Sequence, residues 1–473
     1  MTQISFESLG GVGDGNLITG EGTDNAEAFA RATKAGEEGH SVLFARGKIY
    51  KTTRQIMIHN MSWVGDLSQP PIIFGWFSTG GKRIIGRNPA SDRKAASLVG
   101  LRLHRCGPHP EHGILIDNMR SFNFDGWVTA IAAGDTVVSG GAIGVSSFQP
   151  EHRPSSNVTV KARLTNSANF GVQYGNVNGG TLQVMAENCM REVIGIEPYC
   201  VGTFDFTQDD VKDDVITLPR HGMQTGWPMI YGLMDAKAAV EGLPRANYWF
   251  VIAMDQDRVR LATSESDAAA GKGVTLGRIP SGKHRLFKCG ITENIRVLPS
   301  VVNNLNPPIE RFINDADGVL VFTATSGGYA RNIDTGSIRI NDFNNRAPGY
   351  CVSWLGLWDF TLSGLDIRGG RLGGIRVGRG MLNGIRDAKG ASLDPTVPAL
   401  LIPKGRVERN VIRDFPRRGI SLVEGDVVIT SNRVLSASVD AVGISTLRDG
   451  ARVEDNQVSV QRGVDIHSAK SGQ

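Results

Sequence analysis

The sequence is poor in the residues that hold small disulfide-rich or metal-stabilised domains together. Only five cysteines occur in 473 residues, an odd number with no CxxC pair, which argues against both a disulfide framework and a zinc site. We therefore expect these thiols to be free and buried. We also expect that the protein uses no metal ion and no organic cofactor.

Long apolar runs and a strong charge of either sign are missing as well. No stretch approaches the about 18 consecutive apolar residues of a membrane-spanning helix. The N-terminal residues MTQISFESLGG have no basic region before an apolar run, so we expect no secretory signal peptide. The net charge of +4 is too small to indicate a nucleic-acid partner. The sequence therefore predicts neither membrane insertion nor nucleic-acid binding.

What the sequence does contain is a repeat near its C-terminus. Three stretches place an apolar residue three positions before an asparagine: Arg406–Ile412, Val428–Val434 and Arg452–Val458. Repeats of 20–50 residues indicate a solenoid, and stacked asparagines at successive corners can bond one another and the backbone. The asparagines are Asn410, Asn432 and Asn456, with spacings of 22 and 24 residues.

Each of these units continues into a short strand that begins with glycine. The strands are Gly419–Val423, Gly443–Leu447 and Gly463–His467. Their apolar residues recur with a period of two, which is the period of a β-strand. Glycine makes up 59 of the 473 residues, which fits a chain with many tight turns. The repeat therefore predicts an all-β chain folded as a parallel β-helix, with valine and isoleucine stacked inside.

Residues 1–66 follow a different pattern. A GDG loop at Gly13–Gly15 comes first, a helix starts at Thr23–Asn25, and the stretches Arg46–Tyr50 (RGKIY) and Ser62–Asp66 (SWVGD) follow. This order resembles the opening of the pectate-lyase-like superfamily, which is common in phage tailspikes and related polysaccharide-degrading enzymes. The resemblance implies a right-handed parallel β-helix whose N-terminal end is capped by the helix.

Residues 207–286 interrupt the repeat. They contain the stretches HGMQTGWPMIY, YWFVI and RVRLATS, which are similar to a small β-rich module inserted in many phage tail proteins. We expect an inserted module here, with one part of the β-helix over residues 67–206 and the other over residues 287–473. The module could form a carbohydrate-contacting wall or be a tolerated loop insertion, and the sequence leaves both open.

The resemblance to tailspikes also implies a function. Such proteins are depolymerases that hydrolyse a bacterial surface polysaccharide, usually as homotrimers, and this implies a protein of the virion tail or an extracellular one. Two other functions stay open. One is a lyase acting on a uronic-acid polymer, for which the stretch containing His104, His109 and His112 with Arg102 and Arg105 is the candidate. The other is a spike that binds glycans without turnover.

Strand alternation supplies candidate site residues. In a strand of the form Gly-Ile-x-Ile the isoleucines point inward and the residue between them points outward. The alternation therefore predicts an outer row that a long polymer could follow. The row consists of Leu115, Ser146, Gln173, Glu197, Arg376, Ser421, Ser445 and Asp465.

Glu197 is the main candidate for a catalytic carboxylate. It lies between strands that carry aromatic residues and just before the inserted module. A glycosidase needs two carboxyl groups across the scissile bond, roughly 5–10 Å apart. The candidates for the second are Glu192, which leads into the same strand, and Asp205, which follows it. Each of these groups could also be an ordinary solvated carboxylate.

The expected substrate contacts come from polar and aromatic side chains on the same face. Gln173 and Arg376 belong to the predicted outer row. Tyr174, Tyr199 and Trp354 are candidates for sugar binding, because exposed aromatic rings stack against sugar faces. Trp354 could equally point into the core.

Overall fold

The computed structural model is nearly all β, with parallel sheets. Its α-helices within the described residues are Ala26–Glu37 and Glu265–Ala269, and its short 3-10 turns are Glu7–Leu9 and Gln208–Asp210. The structure describes residues 2–76, 84–86, 92–106, 113–130, 142–146, 152–165, 171–187, 189, 192–245, 247–303, 319–323, 327–341, 349–378, 385–386, 392–394, 403–447 and 450–466.

The largest sheet, which we call the wide sheet, has 21 parallel strands in the described part of the chain. Its strands are Gln3–Ser5, Ser41–Leu43, Ile49–Thr52, Met61–Val64, Ile72–Trp76, Lys94–Cys106, Met119–Ala130, Ser155–Thr165, Val177–Glu187, Ile291–Val297, Ser300–Asn303, Tyr329–Thr335, Ile338–Asn341, Trp358–Ser363, Leu365–Arg368, Lys404–Glu408, Val411–Arg413, Asp426–Thr430, Arg433–Leu435, Ala451–Glu454 and Gln457–Ser459.

A second parallel sheet, which we call the narrow sheet, has 12 strands in the same described ranges. Its strands are Ile56–Met57, Ile85–Gly86, Ile114–Ile116, Ile143–Val145, Val172–Tyr174, Ile194–Ile196, Leu320–Thr323, Tyr350–Leu355, Gly373–Gly378, Arg418–Leu422, Val442–Thr446 and Val464–Ile466. A separate hairpin pairs Ile385–Arg386 with Ser392–Asp394.

Each strand pairs with the strand one repeat further along the chain. Val407 is the partner of Ile429, which is the partner of Val453, so the pairing follows the spacing of the sequence repeat. The inward residues of both sheets belong to one continuous apolar core. The predicted parallel sheets with stacked valine and isoleucine are confirmed.

The predicted asparagine ladder is also confirmed. The Asn410 side chain donates to Oδ1 of Asn432 at 2.9 Å, and the Asn432 side chain donates to Oδ1 of Asn456 at 2.9 Å. Asn410 and Asn432 are each 1% exposed. Such buried amides must have all their hydrogen-bonding groups paired, which holds one repeat in register with the next.

The helix Ala26–Glu37 lies against the strands Ser41–Leu43, Ile56–Met57 and Met61–Val64. Its Phe29 ring packs 4.7 Å from the ring of Phe6 and 5.7 Å from that of Trp63. The helix is therefore anchored at the start of the wide sheet through aromatic contacts. Its role as a cap over the open end of the stack remains a prediction.

The stretch that interrupts the repeat forms an antiparallel sheet with its own apolar core. We call it the inserted sheet. Its first strand in the chain, Cys200–Phe206, pairs with its last, His284–Cys289. The sheet therefore begins and ends a few residues outside the predicted segment 207–286. In spatial order its strands are Cys200–Phe206, His284–Cys289, Pro228–Leu233, Tyr248–Ala253, Arg258–Ala262, Val215–Thr217 and Val211–Lys212.

The cysteines whose side chains the structure describes are buried, as the sequence predicts. They are Cys189, Cys200, Cys289 and Cys351. No helix in the described part of the chain is long and apolar enough to cross a membrane.

Candidate active site

The outward face of the narrow sheet carries two parallel rows of residues. Its inward residues, such as Ile194 and Ile196, lie in the core, so the residues between them face outward. Backbone pairing aligns the first row across the whole sheet. This first row consists of Leu115, Gly144, Gln173, Gly195, Val321, Ser353, Arg376, Ser421, Ser445 and Asp465.

The predicted single row is wrong at Ser146 and Glu197. Gly144 and Gly195 occupy those places, and Ser146 and Glu197 follow two residues later. They belong to a second row on the same face, where the amide of Glu197 donates to the carbonyl oxygen of Tyr174. The second row consists of Asp117, Ser146, Gly175 and Glu197. The alternation of inward and outward residues predicts the correct face of the narrow sheet for Ser146 and Glu197, but not their register along the strands.

Glu197 is held by two neighbours that the sequence had also singled out. Nε2 of Gln173 and the hydroxyl of Tyr199 each donate to Oε2 of Glu197 at 2.7 Å. Nε2 of Gln173 also lies 2.7 Å from the Tyr199 oxygen. Two donors on one carboxylate oxygen stabilise its negative charge. Glu197 is only 9% exposed, so the carboxylate is fixed in position.

The Tyr199 ring packs beside a glycine of the preceding repeat. A Cβ added at Gly175 would lie 3.5 Å from Cδ2 of the Tyr199 ring, an ordinary van der Waals contact. Burial, followed by the charge and hydrogen bond of Glu197 and then by the charge of Glu192, raises the pKa of Tyr199 well above its ordinary value. The phenol therefore stays protonated at neutral pH and acts as a donor.

Glu192 lies close enough to this group for its charge to act on Tyr199. Its backbone carbonyl accepts a hydrogen bond from Gly171 at 2.8 Å, and the residue is 4% exposed. The charges of the first two predicted carboxylates, Glu192 and Glu197, therefore both act on the phenol of Tyr199.

Gly195 lies between the side chains of Gln173 and Glu197. A Cβ at this position would lie 3.6 Å from Cγ of Gln173 and 3.7 Å from Cδ of Glu197. These are ordinary van der Waals distances, so a methyl group there would contact both side chains without strain.

Asp205, the other predicted carboxylate, lies in a different environment. It is on the inserted sheet, and both of its oxygens accept hydrogen bonds from Arg285, one of them at 2.8 Å. A carboxylate held in a bidentate ion pair is poorly placed to give or take a proton. Its catalytic role stays a prediction, and the structure favours Glu192 as the partner of Glu197.

The predicted sugar-stacking aromatics divide into two groups. Tyr174 and Trp354 are both fully buried in the core, so the expectation that Tyr174 is exposed is wrong, and Trp354 takes the inward position that the sequence had left open. Both occupy inward positions of their strands, in register with Ile196 and Val377 respectively. Tyr199 is half-buried on the outer face, and Arg376 is half-buried in the first row.

Several outer-row residues are less accessible than expected. Leu115, Ser421 and Ser445 are between 1% and 4% exposed although they face away from the core. The first row is therefore covered along much of its length. Gln173 and Arg376 remain its partly exposed polar members in the described residues whose side chains are characterised.

Sequence reasoning missed an acidic residue in the second row. Asp117, which follows the strand Ile114–Ile116 just as Glu197 follows Ile194–Ile196, is fully buried, and its Oδ2 lies 2.8 Å from Nδ1 of His152. Three strand spacings, roughly 14 Å, separate it from Glu197. The pattern Ile-x-Ile-acid, present in ILID and IGIE, was the available signal.

The histidine stretch proposed for a lyase is described only in part. His104 lies on the wide sheet, where Thr129 is its strand partner, and not on the narrow sheet beside Glu197. Burial, followed by the charge of Arg102, lowers the pKa of His104 to about 4, so it is neutral at pH 7. His109 and His112 lie outside the described residues.

No set of three or more histidine, cysteine, aspartate or glutamate side chains able to hold a metal ion occurs in the described ranges.

Comparison with known proteins gives structural likenesses only. No family model matches the chain, and no curated protein matches it. The A-module of the Azotobacter vinelandii mannuronan C-5 epimerase AlgE4 is 12% identical, with a TM-score of 0.37, over 99% of this chain and 100% of that one. The Streptococcus pneumoniae surface adhesin PfbA is 14% identical, with a TM-score of 0.39, over 99% and 94%.

A third likeness is to the catalytic domain of a GH87 alpha-1,3-glucanase in complex with nigerose. It is 8% identical, with a TM-score of 0.33, and the match covers 95% of this chain and 67% of that one. At such identities and TM-scores, the function has to be argued from the site itself.

Proposed function

We propose that the protein is a glycosidase that hydrolyses a bacterial surface polysaccharide bound at the group around Glu197. The observation that carries this proposal is the group formed by Glu197, Gln173 and Tyr199, together with the charge of Glu192, which acts on the same phenol. Two carboxyl groups in different environments are what hydrolysis of a glycosidic bond requires.

The two carboxyl groups take different roles. Glu197 receives two hydrogen bonds on one oxygen, so we assign it the ionised role, as nucleophile or as the base that activates water. To Glu192, the second carboxyl group, we assign the role of the acid that protonates the leaving oxygen. Tyr199 and Gln173 keep Glu197 oriented.

The fold proposed for this activity is the right-handed parallel β-helix that the sequence indicated, with the helix Ala26–Glu37 as its cap. Stacked repeats give a face that extends along the axis, and a polymer can contact many repeats at once. The inserted sheet begins at Cys200, directly after Tyr199, so it stands at the side of the proposed site and supports the carbohydrate-contacting wall.

The test is product analysis after the pure protein is incubated with a panel of capsular, exopolysaccharide and lipopolysaccharide glycans. We expect new reducing ends without ultraviolet-absorbing unsaturated termini. A Glu187→Gln protein is the matched control, because Glu187 is an exposed carboxylate at the end of a wide-sheet strand. If glycans bind but no new ends form, the protein is a binding spike and the proposal fails.

A second candidate function is elimination on a uronic-acid polymer. The buried pair Asp117 and His152 favours it, because a carboxylate that orients an imidazole can prepare a general base. Unsaturated termini in the same product analysis would support this function in place of hydrolysis.

We further propose that the protein works as a tailspike-type homotrimer in a virion tail or outside the cell. This rests on the resemblance of residues 1–66 and 207–286 to tailspike sequences. Sedimentation equilibrium should give three times the 50.8 kDa of one chain. A mass of one chain at micromolar concentration would contradict the trimer.

A further inference from the structure

A second concave site lies further along the narrow sheet. A pocket of about 480 Å³ is lined by Tyr350, Leu372, Arg417, Arg418, Asp440, Val442 and Arg462. This volume lies within the range of small-molecule sites. The pocket lies at the start of the strands Tyr350–Leu355, Arg418–Leu422 and Val442–Thr446, whereas Glu197 follows the end of its strand.

Backbone hydrogen bonds stack the pocket residues one repeat above the next. The amide of Val442 donates to the carbonyl oxygen of Arg417 at 2.7 Å, and the amide of Arg462 donates to that of Ala441 at 3.3 Å. Arg417 and Arg418 thus come from one repeat and Arg462 from the second repeat after it, with Asp440 and Val442 in the repeat between them. Neighbouring strands lie about 4.8 Å apart, so the sheet sets the spacing of the arginines.

The described residues of the lining have an excess of positive charge. Among them, three arginines and one aspartate leave two positive charges. In the described part of the chain, no carboxylate lies within salt-bridge distance of the guanidinium groups of Arg417, Arg418 or Arg462. Like charges that share one pocket repel one another, and a bound anion would relieve that repulsion.

The rest of the lining is apolar or aromatic. Leu372 and Val442 contribute apolar surface, and Tyr350, only 7% exposed, contributes part of its ring. Sugar rings have an apolar face that suits such surfaces, and guanidinium groups bind carboxylates with two parallel hydrogen bonds. An acidic sugar satisfies both parts of the lining, whereas a bare inorganic anion would use only the arginines.

We infer that this pocket binds the carboxylate of an acidic sugar residue, so that the polymer recognised by the protein carries uronic acid or a similar acid. The assignment of the pocket to a polymer rests on the proposed function. The narrow-sheet strands that border it lie two to six strands from the strand before Glu197, roughly 10–29 Å. A polymer long enough to cross that distance contacts both sites.

The test is titration calorimetry with oligogalacturonate and hyaluronan oligomers, and with maltooligosaccharide of equal length as the neutral probe. A Glu197→Gln background prevents cleavage during the titration. We expect at least one acidic oligomer to bind more tightly than the neutral one, and binding to weaken as salt is added. The double variant Arg417→Ser with Arg462→Ser should bind about tenfold more weakly.

Two further variants sharpen the test. Asp440→Asn removes the negative charge that Asp440 contributes to the lining and should strengthen binding of the acidic oligomer, which a merely structural role would not do. Arg452→Ser is the matched control, because Arg452 is an exposed arginine of the same repeat on the wide sheet, and it should leave affinity unchanged.

Three results would overturn the inference: no binding of either acidic oligomer, equal binding of the neutral one, or unchanged affinity in the double variant. Inorganic phosphate is the last ligand to be titrated. If it binds as tightly as the oligomers, the pocket is a simple ion site and not a sugar site. These titrations measure binding alone. A failure to find any cleavage would therefore contradict the proposed hydrolysis but not the binding of an acidic sugar in this pocket.

Discussion

Replacing Glu197 by glutamine should lower turnover roughly 10²–10⁴-fold, the usual contribution of a positioned acid or base, and leave glycan binding in place. The amide has nearly the same shape, and its oxygen can still accept from Gln173 and Tyr199, which both donate to one oxygen of Glu197. What the variant loses is the charge and the ability to exchange a proton. The measurement is the initial rate of reducing-end formation on the glycan identified by product analysis.

Two companion variants separate chemistry from structure. Glu187→Gln should retain full activity, because that carboxylate is exposed on the wide sheet. Tyr199→Phe removes one donor from Glu197 and should reduce turnover less than Glu197→Gln, with a displaced pH profile. Should Glu197→Gln retain more than a tenth of the turnover, Glu197 is not the reacting carboxylate.

The second large effect concerns stability. Asn432→Leu should lower the free energy of unfolding by about 3–5 kcal/mol, because each unsatisfied buried polar group costs about 1–3 kcal/mol. The Asn432 side chain donates to the carbonyl oxygens of Val407 and Thr430 and to Asn456, and it accepts from both the backbone and the side chain of Asn410. Leucine fills the volume but leaves these partners unpaired.

Chemical denaturation is the measurement, with hydrogen exchange across residues 403–435 to detect local opening, because repeat arrays can unfold in steps. Asn178→Ala is the control. Asn178 takes part in a similar but exposed ladder, bonded to Glu293 and Asn294, where water can replace each lost bond. We expect a loss below about 1 kcal/mol there. Equal losses in the two variants would mean that burial does not set the strength of the ladder.

The asparagine ladder shows what the sequence could predict. The asparagine recurs after 22 and then 24 residues, each time between apolar residues. A buried amide in such a pattern is stable in few places other than the same corner of each repeat, where the amides stack. The same repetition fixed the inward positions of Ile420 and Ile444, which are strand partners in the narrow sheet. Local pattern and tertiary contact coincide in such a repeat, because each unit contacts mainly its neighbours.

The misplaced aromatics show where the prediction failed. The alternation that puts Gln173 outside also puts Tyr174 inside, and the same holds for Ser353 and Trp354. The expectation of sugar stacking gave residue type more weight than strand position. In a tightly packed core, a large aromatic ring at an inward position packs against its neighbours, whether it belongs to tyrosine or to tryptophan.

The position of Tyr199 could not have been obtained from alternation. It lies beyond the strand and after Pro198, where the backbone no longer follows a period of two. Its position depends on Gly175 in the preceding repeat and on Glu197 two residues before it. Contacts of this kind join residues through space, so they become visible only when the repeats are stacked.

The first and last strands of the inserted sheet lie side by side, and this bears on how the sequence of that sheet can vary. The amide of Gly290 donates to the carbonyl oxygen of Tyr199 at 2.7 Å, and Cys200 is the strand partner of Cys289, so about ninety residues leave and rejoin the stack at one point. Segments with adjacent ends can be lengthened, shortened or exchanged. Tyr199 limits such changes because it also bonds Glu197, and the contacts of Glu265 with Arg331 and of Tyr248 with Gly328 limit them further. Natural variants should therefore differ most in the parts of the inserted sheet that make none of these contacts.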